Sequence, residues 1–245
     1  MKNFCGVDVG LTDTKYAYKK DGKIICTREK PDGNYEFGYT GVKAPDGFSE
    51  FNCVVAGAKE LTGLSNFLLL SMGTGTAFLR VKNDKYTHLG GTGVGGGTIK
   101  GLYSLFAENS DNADVKEIAK ISKSGSACNT DLKIGDISED LGSLLSKDIT
   151  VTNLSKLSKE TSKEDFAAGI INLTAEVLMM MAVFARRDDE TIVCIGGLSQ
   201  LDRIRETASV LGAMHKISFI FPENASFAGA IGCLIEIENL RRLSS

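Results

Sequence analysis

The chain has 245 residues, 28 Lys+Arg against 31 Asp+Glu, and a hydrophobic share of 42%. That length suits one large domain or two small ones at roughly 100–200 residues each, with a core that needs no staples. A formal net charge of −3 argues against a nonspecific polyanion binder, so no nucleic-acid partner is expected, and the apolar share excludes wholesale disorder.

In chain order, residues 3–9 (NFCGVDV) predict a buried strand, broken at Gly10 to Thr12. Lys15 to Lys19 alternate again, Asp21-Gly22 signals a hairpin turn, and Lys23 to Thr27 resume. Pro31 to Gly47 (PDGNYEFGYTGVKAPDG) reads as turns with weak periodicity. The stretch from Glu50, EFNCVVAGAKELTG, predicts a helix closed near Gly63. The opening phrase then recurs. Asn66 to Met72 is a strand, Gly73-Thr74-Gly75 the break, Thr76 to Val81 a strand, Asn83-Asp84 a turn and Lys85 to Leu89 a third strand. A repeated β-meander implies two similar subdomains, here 1–64 and 65–245.

The 27 Gly against 3 Pro depart from averages of about 7% and 5%, and the glycines cluster, as where backbone approaches a ligand. Gly90-Gly91-Thr92-Gly93-Val94-Gly95-Gly96-Gly97 forms a loop that opens into a helix from Thr98 to Phe106. Asp114 to Ser122 is helical, and Ser124 to Thr130 is a loop of small residues. Thr161 or Ser162 caps a long helix from Phe166 to Arg187. Thr191 to Ile195 is a strand ending at Gly196-Gly197, Gln200 to Leu211 a helix, and Ile217 to Phe221 a strand. Ala225 to Leu240 is a last helix with a small-residue face.

The six cysteines form no CxxC pair, and only His88 and His215 could join them. Zinc or iron–sulfur sites are therefore poorly supported, and buried reduced thiols in a reducing compartment are expected. MKNFCGVDVG holds no apolar run of signal-peptide length. The most apolar helix segment, Val177 to Ala185, falls short of the roughly 20 residues a membrane span needs. A cytoplasmic protein with no membrane partner is the expectation.

Three turns carry the chemistry. In Asp8-Val9-Gly10-Leu11-Thr12-Asp13-Thr14-Lys15, backbone N–H groups and Thr hydroxyls can cradle phosphate oxygens, Lys15 adds charge, and Asp8 can orient a hydrated Mg²⁺. The plain alternative is a hairpin with a strand-end Asp. Gly73-Thr74-Gly75-Thr76 is a second such turn at the equivalent place, able to clamp a polyphosphate from the other side. Gly196-Gly197 is a third, whose flat backbone suits an adenine ring. Together they point to nucleotide binding, and no GxxxxGK[ST] loop is present.

These motifs resemble the phosphate and adenosine motifs of the acetate-kinase, actin, Hsp70 and sugar-kinase superfold. The resemblance implies an α/β, ribonuclease H-like, actin-like ATPase fold with duplicated subdomains. Ser49-Glu50-Phe51-Asn52, the tract from His88 to Leu102, Asn129-Thr130-Asp131 and Glu223 to Gly232 are similar to the type II pantothenate kinases, nearly end to end. That family implies ATP and Mg²⁺ as cofactors and pantothenate as the acceptor. It implies Glu50 as the general base, against the alternative of an ordinary helix N-terminal Glu. It places His88, Gly90, Gly91, Thr92 and Gly93 at the substrate, and Gly96 and Gly97 with the phosphates. It also implies a homodimer through the long helix and inhibition by acyl-CoA.

Three departures stand out. His88 replaces the family's arginine and lacks its bidentate fork. Leu11 replaces a glycine in the first turn. The segment before Glu50 is too short for both the helix and the further strand of relatives, so the first subdomain is trimmed. A kinase of a pantetheine-like or sugar alcohol, or a non-catalytic ATP- or acyl-CoA-binding regulator, are the competing readings.

Overall fold

Two mixed sheets built on one strand plan frame the molecule. The computed structural model describes residues 3–44, 46–83, 85–107, 113–137, 146–187 and 189–243; Asp84 of the second predicted turn lies outside them. In the first sheet, β1 (Asn3–Val9), β2 (Thr14–Lys20), β3 (Lys23–Thr27) and β4 (Tyr35–Thr40) are ordered β3-β2-β1-β4. β5 (Asn66–Met72), β6 (Thr76–Lys82) and β7 (Lys85–Thr92) open the second sheet. After a small ribbon of β8 (Leu132–Lys133) and β9 (Thr150–Thr152), β10 (Ile192–Ile195) and β11 (Phe219–Ile220) complete it in the order β11-β10-β5-β6-β7. Each sheet is an antiparallel meander with a parallel strand on the far side of its first strand, β4 beside β1 and β10 beside β5. The second sheet adds β11, also parallel, so the first is one strand shorter.

β4 falls where the sequence predicts only turns. Tyr35, Phe37 and Tyr39 alternate with Glu36, Gly38 and Thr40, a strand period that the glycines and flanking turn formers obscure. β4 also helps to cover one face of the sheet. Cys5 and Val7 pair in register with Phe37 and Tyr39 and with Tyr18 and Tyr16. Side chains opposite one another share a face. Tyr18, Tyr35, Phe37 and Tyr39 form a ladder with ring centroids 5.3, 6.2 and 6.3 Å apart. Under it Cys5 and Val7 are buried. The aromatic layer does the covering, with tyrosine hydroxyls tolerating water.

The central strands of the second sheet, β5 and β10, are buried on both faces and alternate between two cores, while β7 is largely exposed. Phe67, Leu69, Val193 and Ile195 meet Val54, Val55 and Ala58 of α1 (Glu50–Thr62). Leu68, Leu70, Met72, Ile192 and Cys194 face the opposite layer. That layer contains α2 (Gly96–Phe106), α3 (Val115–Ile121), α5 (Lys163–Ala185) and α6 (Asp202–His215), with the single turn α4 (Ile134–Ile137) between α3 and α5. α3 has a capping box, Asp114 accepting from Lys116 and Glu117 N–H while Glu117 accepts from Asp114 N–H. Ser162 caps α5 by accepting from Asp165 N–H at 3.0 Å. α5 corrects the expectation of a short apolar segment. It runs 23 residues and is the one helix among those described that is long and apolar enough to cross a membrane, yet 61% of its most apolar window is buried inside the protein. Its apolar character is that of a core helix lying on the sheet.

α7 (Ala228–Leu243) returns to the first sheet, packing on β1, β2, β4 and α1. Small residues let backbone touch backbone there. A Cβ on Gly57 of α1 would overlap the Ala228 carbonyl, one on Gly232 the Cys53 carbonyl, and one on Gly6 of β1 the Ala230 carbonyl. Of the cysteines, Cys5, Cys53, Cys194 and Cys233 are buried; Cys128 is exposed and Cys26 half-buried.

Alanine substitution at two helical glycines should therefore act in opposite directions in urea unfolding. Gly101→Ala, with open space beside it in α2, is expected to stabilise by about 0.5–1 kcal/mol through helix propensity. Gly57→Ala carries the same propensity gain but is expected to destabilise by about 1–3 kcal/mol through overpacking.

Candidate functional site

Asp8 lies one residue before the end of β1, on the inner face with its register partners Lys15 and Thr40. Two glycines close on its carboxylate: a Cβ on Gly229 of α7 would come within 2.6 Å of Oδ2, and one on Gly41 within 2.8 Å of Oδ1. Burial pushes this carboxyl up; Lys15, its Nζ 3.9 Å from Oδ2, opposes the push, and the charge of Asp13 adds to it. Asp13 sits below its ordinary value, because its burial is outweighed by Lys15 at 3.1 Å and Arg28 at 3.1 Å. Gly10 N–H donates to the Asp13 carbonyl at 3.0 Å and closes the turn. Leu11 and Thr12 stand exposed at its tip. Lys43 donates to the Leu11 carbonyl at 3.4 Å, a further cation that the sequence reading passes over; a lysine two residues after a turn glycine was the available signal.

The second turn and the glycine tract form one backbone assembly. The sequence places the start of the loop at Gly90, whereas β7 continues through Thr92, with a register shift opposite Phe78 and Leu79. Gly73 N–H donates to the Gly75 carbonyl at 2.8 Å, Gly96 N–H to Gly73 at 2.9 Å and Gly97 N–H to Thr74 at 2.9 Å. A Cβ on Gly95 would stand 2.5 Å from the Thr74 carbonyl. The Thr76 hydroxyl, buried, donates to the Val94 carbonyl at 3.0 Å. The amides of Gly96 and Gly97 and the hydroxyl of Thr76 thus dock the first turn of α2 onto residues 73–75. Gly73, Thr74, Gly91 and Gly93 are left exposed, and Gly75, Gly90 and Thr92 half-buried.

Gly196 has φ +91°, and its N–H donates to the Ala225 carbonyl at 3.0 Å. A side chain there would run into the Met72 backbone at the end of β5, while Gly197 has open space beside it. Beyond this turn lies a cavity of about 2150 Å³, bordered by Gln200, Leu201, Arg205, Glu223, Asn224 and, just after β3, Arg28. It extends along α3 and α6 and does not include Asp8, Glu50 or the second turn.

Glu50 is the first residue of α1 and is exposed. The partial enclosure of the cleft pushes its carboxyl up, the negative charge of Asp8 adds to this, and Lys15 opposes it; exposure keeps such effects screened. The next residue, Phe51, lies 4.9 Å from the His88 ring and 6.3 Å from that of Tyr86. The fold therefore brings His88 of β7 beside the start of α1, and Asp8 of β1 within electrostatic reach of Glu50.

Asp131 is fully buried. It accepts from Leu154 N–H at 2.8 Å, Asn172 Nδ2 at 2.7 Å and Thr130 at 3.2 Å. Asn172 in turn accepts two bonds from Arg203, at 2.6 and 2.8 Å. This network fixes α5 against α6 at the cavity wall. Nothing in the local sequence around Asn172 or Arg203 announces it, since its members are 41 and 31 positions apart.

The Fumble family model matches residues 54–236. A type II pantothenate kinase of Bacillus cereus (strain ATCC 10987 / NRS 248) is 28% identical over 277 residues, covering 98% of this chain and 99% of its own. Among solved structures, the activator of the 2-hydroxyisocaproyl-CoA dehydratase from Clostridium difficile with bound ADPNP superposes with TM-score 0.66 at 16% identity, over 99% of this chain and 96% of that one. A ROK family protein from Streptococcus pneumoniae TIGR4 in complex with sucrose gives 0.54 at 13% identity, over 98% and 99%. At these identities the structural likenesses speak for the fold, which is actin-like.

Because its hydroxyl is committed to the Val94 carbonyl, Thr76→Val should cost about 1–3 kcal/mol of stability by leaving that carbonyl unsatisfied. Chemical denaturation of the variant against the parent measures it.

Proposed function

The chain belongs to the Fumble family, and from that membership we propose that it transfers the γ-phosphoryl group of ATP to the primary hydroxyl of pantothenate, in coenzyme A biosynthesis. The observation that carries the residue assignment is the placement of Glu50. It is an exposed carboxylate at the head of a helix, close enough to Asp8 to feel its charge, with His88 packed on the neighbouring Phe51. The acceptor hydroxyl gives its proton to the Glu50 carboxylate as its oxygen attacks the γ-phosphorus, and ADP leaves with the bridging oxygen and its electron pair. Such a proton transfer is worth about 10²–10⁴ in rate.

The exposed backbone of Gly73 and Thr74 and the turn from Gly10 to Asp13 are the proposed phosphate contacts. Gly197 and the cavity beyond it form the proposed nucleoside side. Gly90 to Gly93 and His88 are the proposed acceptor contacts. His88 offers one hydrogen bond at a time to the acceptor's anionic end, where an arginine would offer two.

Among the described residues there is no cluster of three or more metal-ligating side chains, which suits Mg²⁺ held mostly by phosphates and water. Asp8, confined between Gly41 and Gly229, is the carboxylate that would hold it. Bound there, the ion would neutralise charge on the phosphates. Exposed Phe184 near the end of α5 and Leu105 near the end of α2 support pairing of two copies through this layer.

Glu50→Gln is expected to lower kcat by about 10²–10⁴ with little change in ATP affinity. The acid limb of kcat/KM for the parent should fall as Glu50 takes up a proton. Since enclosure and Asp8 raise this carboxyl, that limb should lie above the usual glutamate value of 4.5 and be absent from the residual activity of the variant. A full rate in Glu50→Gln would remove the base assignment.

A further inference from the structure

Arg28 takes no part in the transfer described above, yet it joins parts of the site that lie on different sheets. It follows β3 directly, and its Nε donates to Asp13 Oδ2 at 3.1 Å. On its other side, its guanidinium carbon lies 5.1 Å from the centre of the Phe227 ring. Asp13 belongs to the first turn, its second oxygen held by Lys15 at 3.1 Å. Phe227 ends the loop between β11 and α7 and packs with Ala17 of β2 and with Ala230, Ile231 and Leu234 of α7. That loop is tied to the third turn by the bond from Gly196 N–H to the Ala225 carbonyl. Arg28, Glu223, Asn224, Ser226 and Phe227 all border the large cavity.

A guanidinium can lie flat on an aromatic ring while its edge donates to a carboxylate, a combination that an ammonium group does not offer. Asp13, Arg28 and Phe227 make an unbroken side-chain link from the first turn to the wall of the cavity beyond Gly196. We propose that Arg28 is a positioning residue for the nucleotide, holding the first phosphate turn in register with the loop that walls the nucleoside side. The inference rests on the ATP-dependent reading above. With the link cut, each turn keeps its own geometry but the distance between them is less constrained, so the loss falls on ATP and spares the acceptor.

The test is ATP titration calorimetry on the full chain, together with steady-state kinetics, for Arg28→Ala, Arg28→Lys, Phe227→Leu, Phe227→Tyr and the Arg28→Ala/Phe227→Leu pair. Arg28→Ala is expected to weaken ATP about tenfold in both Kd and KM, with Arg28→Lys close behind it and Phe227→Tyr, which keeps the ring, near the parent. The double variant should be no weaker than Arg28→Ala alone, since both changes cut one link. KM for pantothenate should stay within about twofold throughout. The proposal is overturned if Arg28→Ala binds ATP as the parent does, if the two single changes add in full, or if both KM values rise together with a lowered Tm. A parent chain that binds no ATP would instead defeat the kinase reading itself, a different and separately visible failure.

Discussion

The close crossing of α7 over α1 and β1 is the contact on which the rest of the site depends. Glycines at 6, 57 and 232 allow carbonyl oxygens to occupy space that any Cβ would take. The same helix brings Gly229 against the Asp8 carboxylate. α1 is thereby fixed relative to β1, and its first residue, Glu50, comes under the influence of Asp8. Two carboxylates from distant parts of the chain share one cleft because three backbones are packed without side chains between them. Close packing of this kind has little give, which suits a site where the relative placement of base and phosphates sets the rate.

The second sheet does the complementary work. Its first strand is buried on both faces and delivers the 73–75 turn, and the glycine tract locks α2 to that turn through backbone bonds from Gly96 and Gly97. A scaffold of this sort holds Thr74, exposed on the turn, in a fixed position. Preorganised donors cost no rearrangement when a charged ligand arrives. The first sheet is self-sufficient in the same sense, one of its faces lined by a ladder of aromatic rings.

Much of this was legible in the sequence because it is local. The two meanders, the turn at Asp21-Gly22, with both residues at positive φ, the helix from Glu50 to Gly63 and the cap at Ser162 all follow from patterns a few residues long. β4 was hidden because Gly38 interrupts its alternation and turn formers crowd both ends. The double duty of the glycine tract was hidden for another reason: a glycine that admits a ligand and one that admits a neighbouring carbonyl look alike in one dimension. The return of α7 to the first sheet, and the Asp131–Asn172–Arg203 network, depend on partners far away in the chain. The long helix α5 was legible from Phe166 to Arg187, close to its observed Lys163–Ala185; only the extent of its apolar stretch was underread, because its first turns mix polar residues with apolar ones.

Phosphoryl transfer to one acceptor is the central step, and transfer of label from γ-labelled ATP tests it most directly. Purified protein with Mg²⁺ and pantothenate should place the label on the primary hydroxyl of pantothenate, with one ADP formed for each label transferred. ATP bound tightly but never turned over in the presence of pantothenate, or label released only to water, would contradict it.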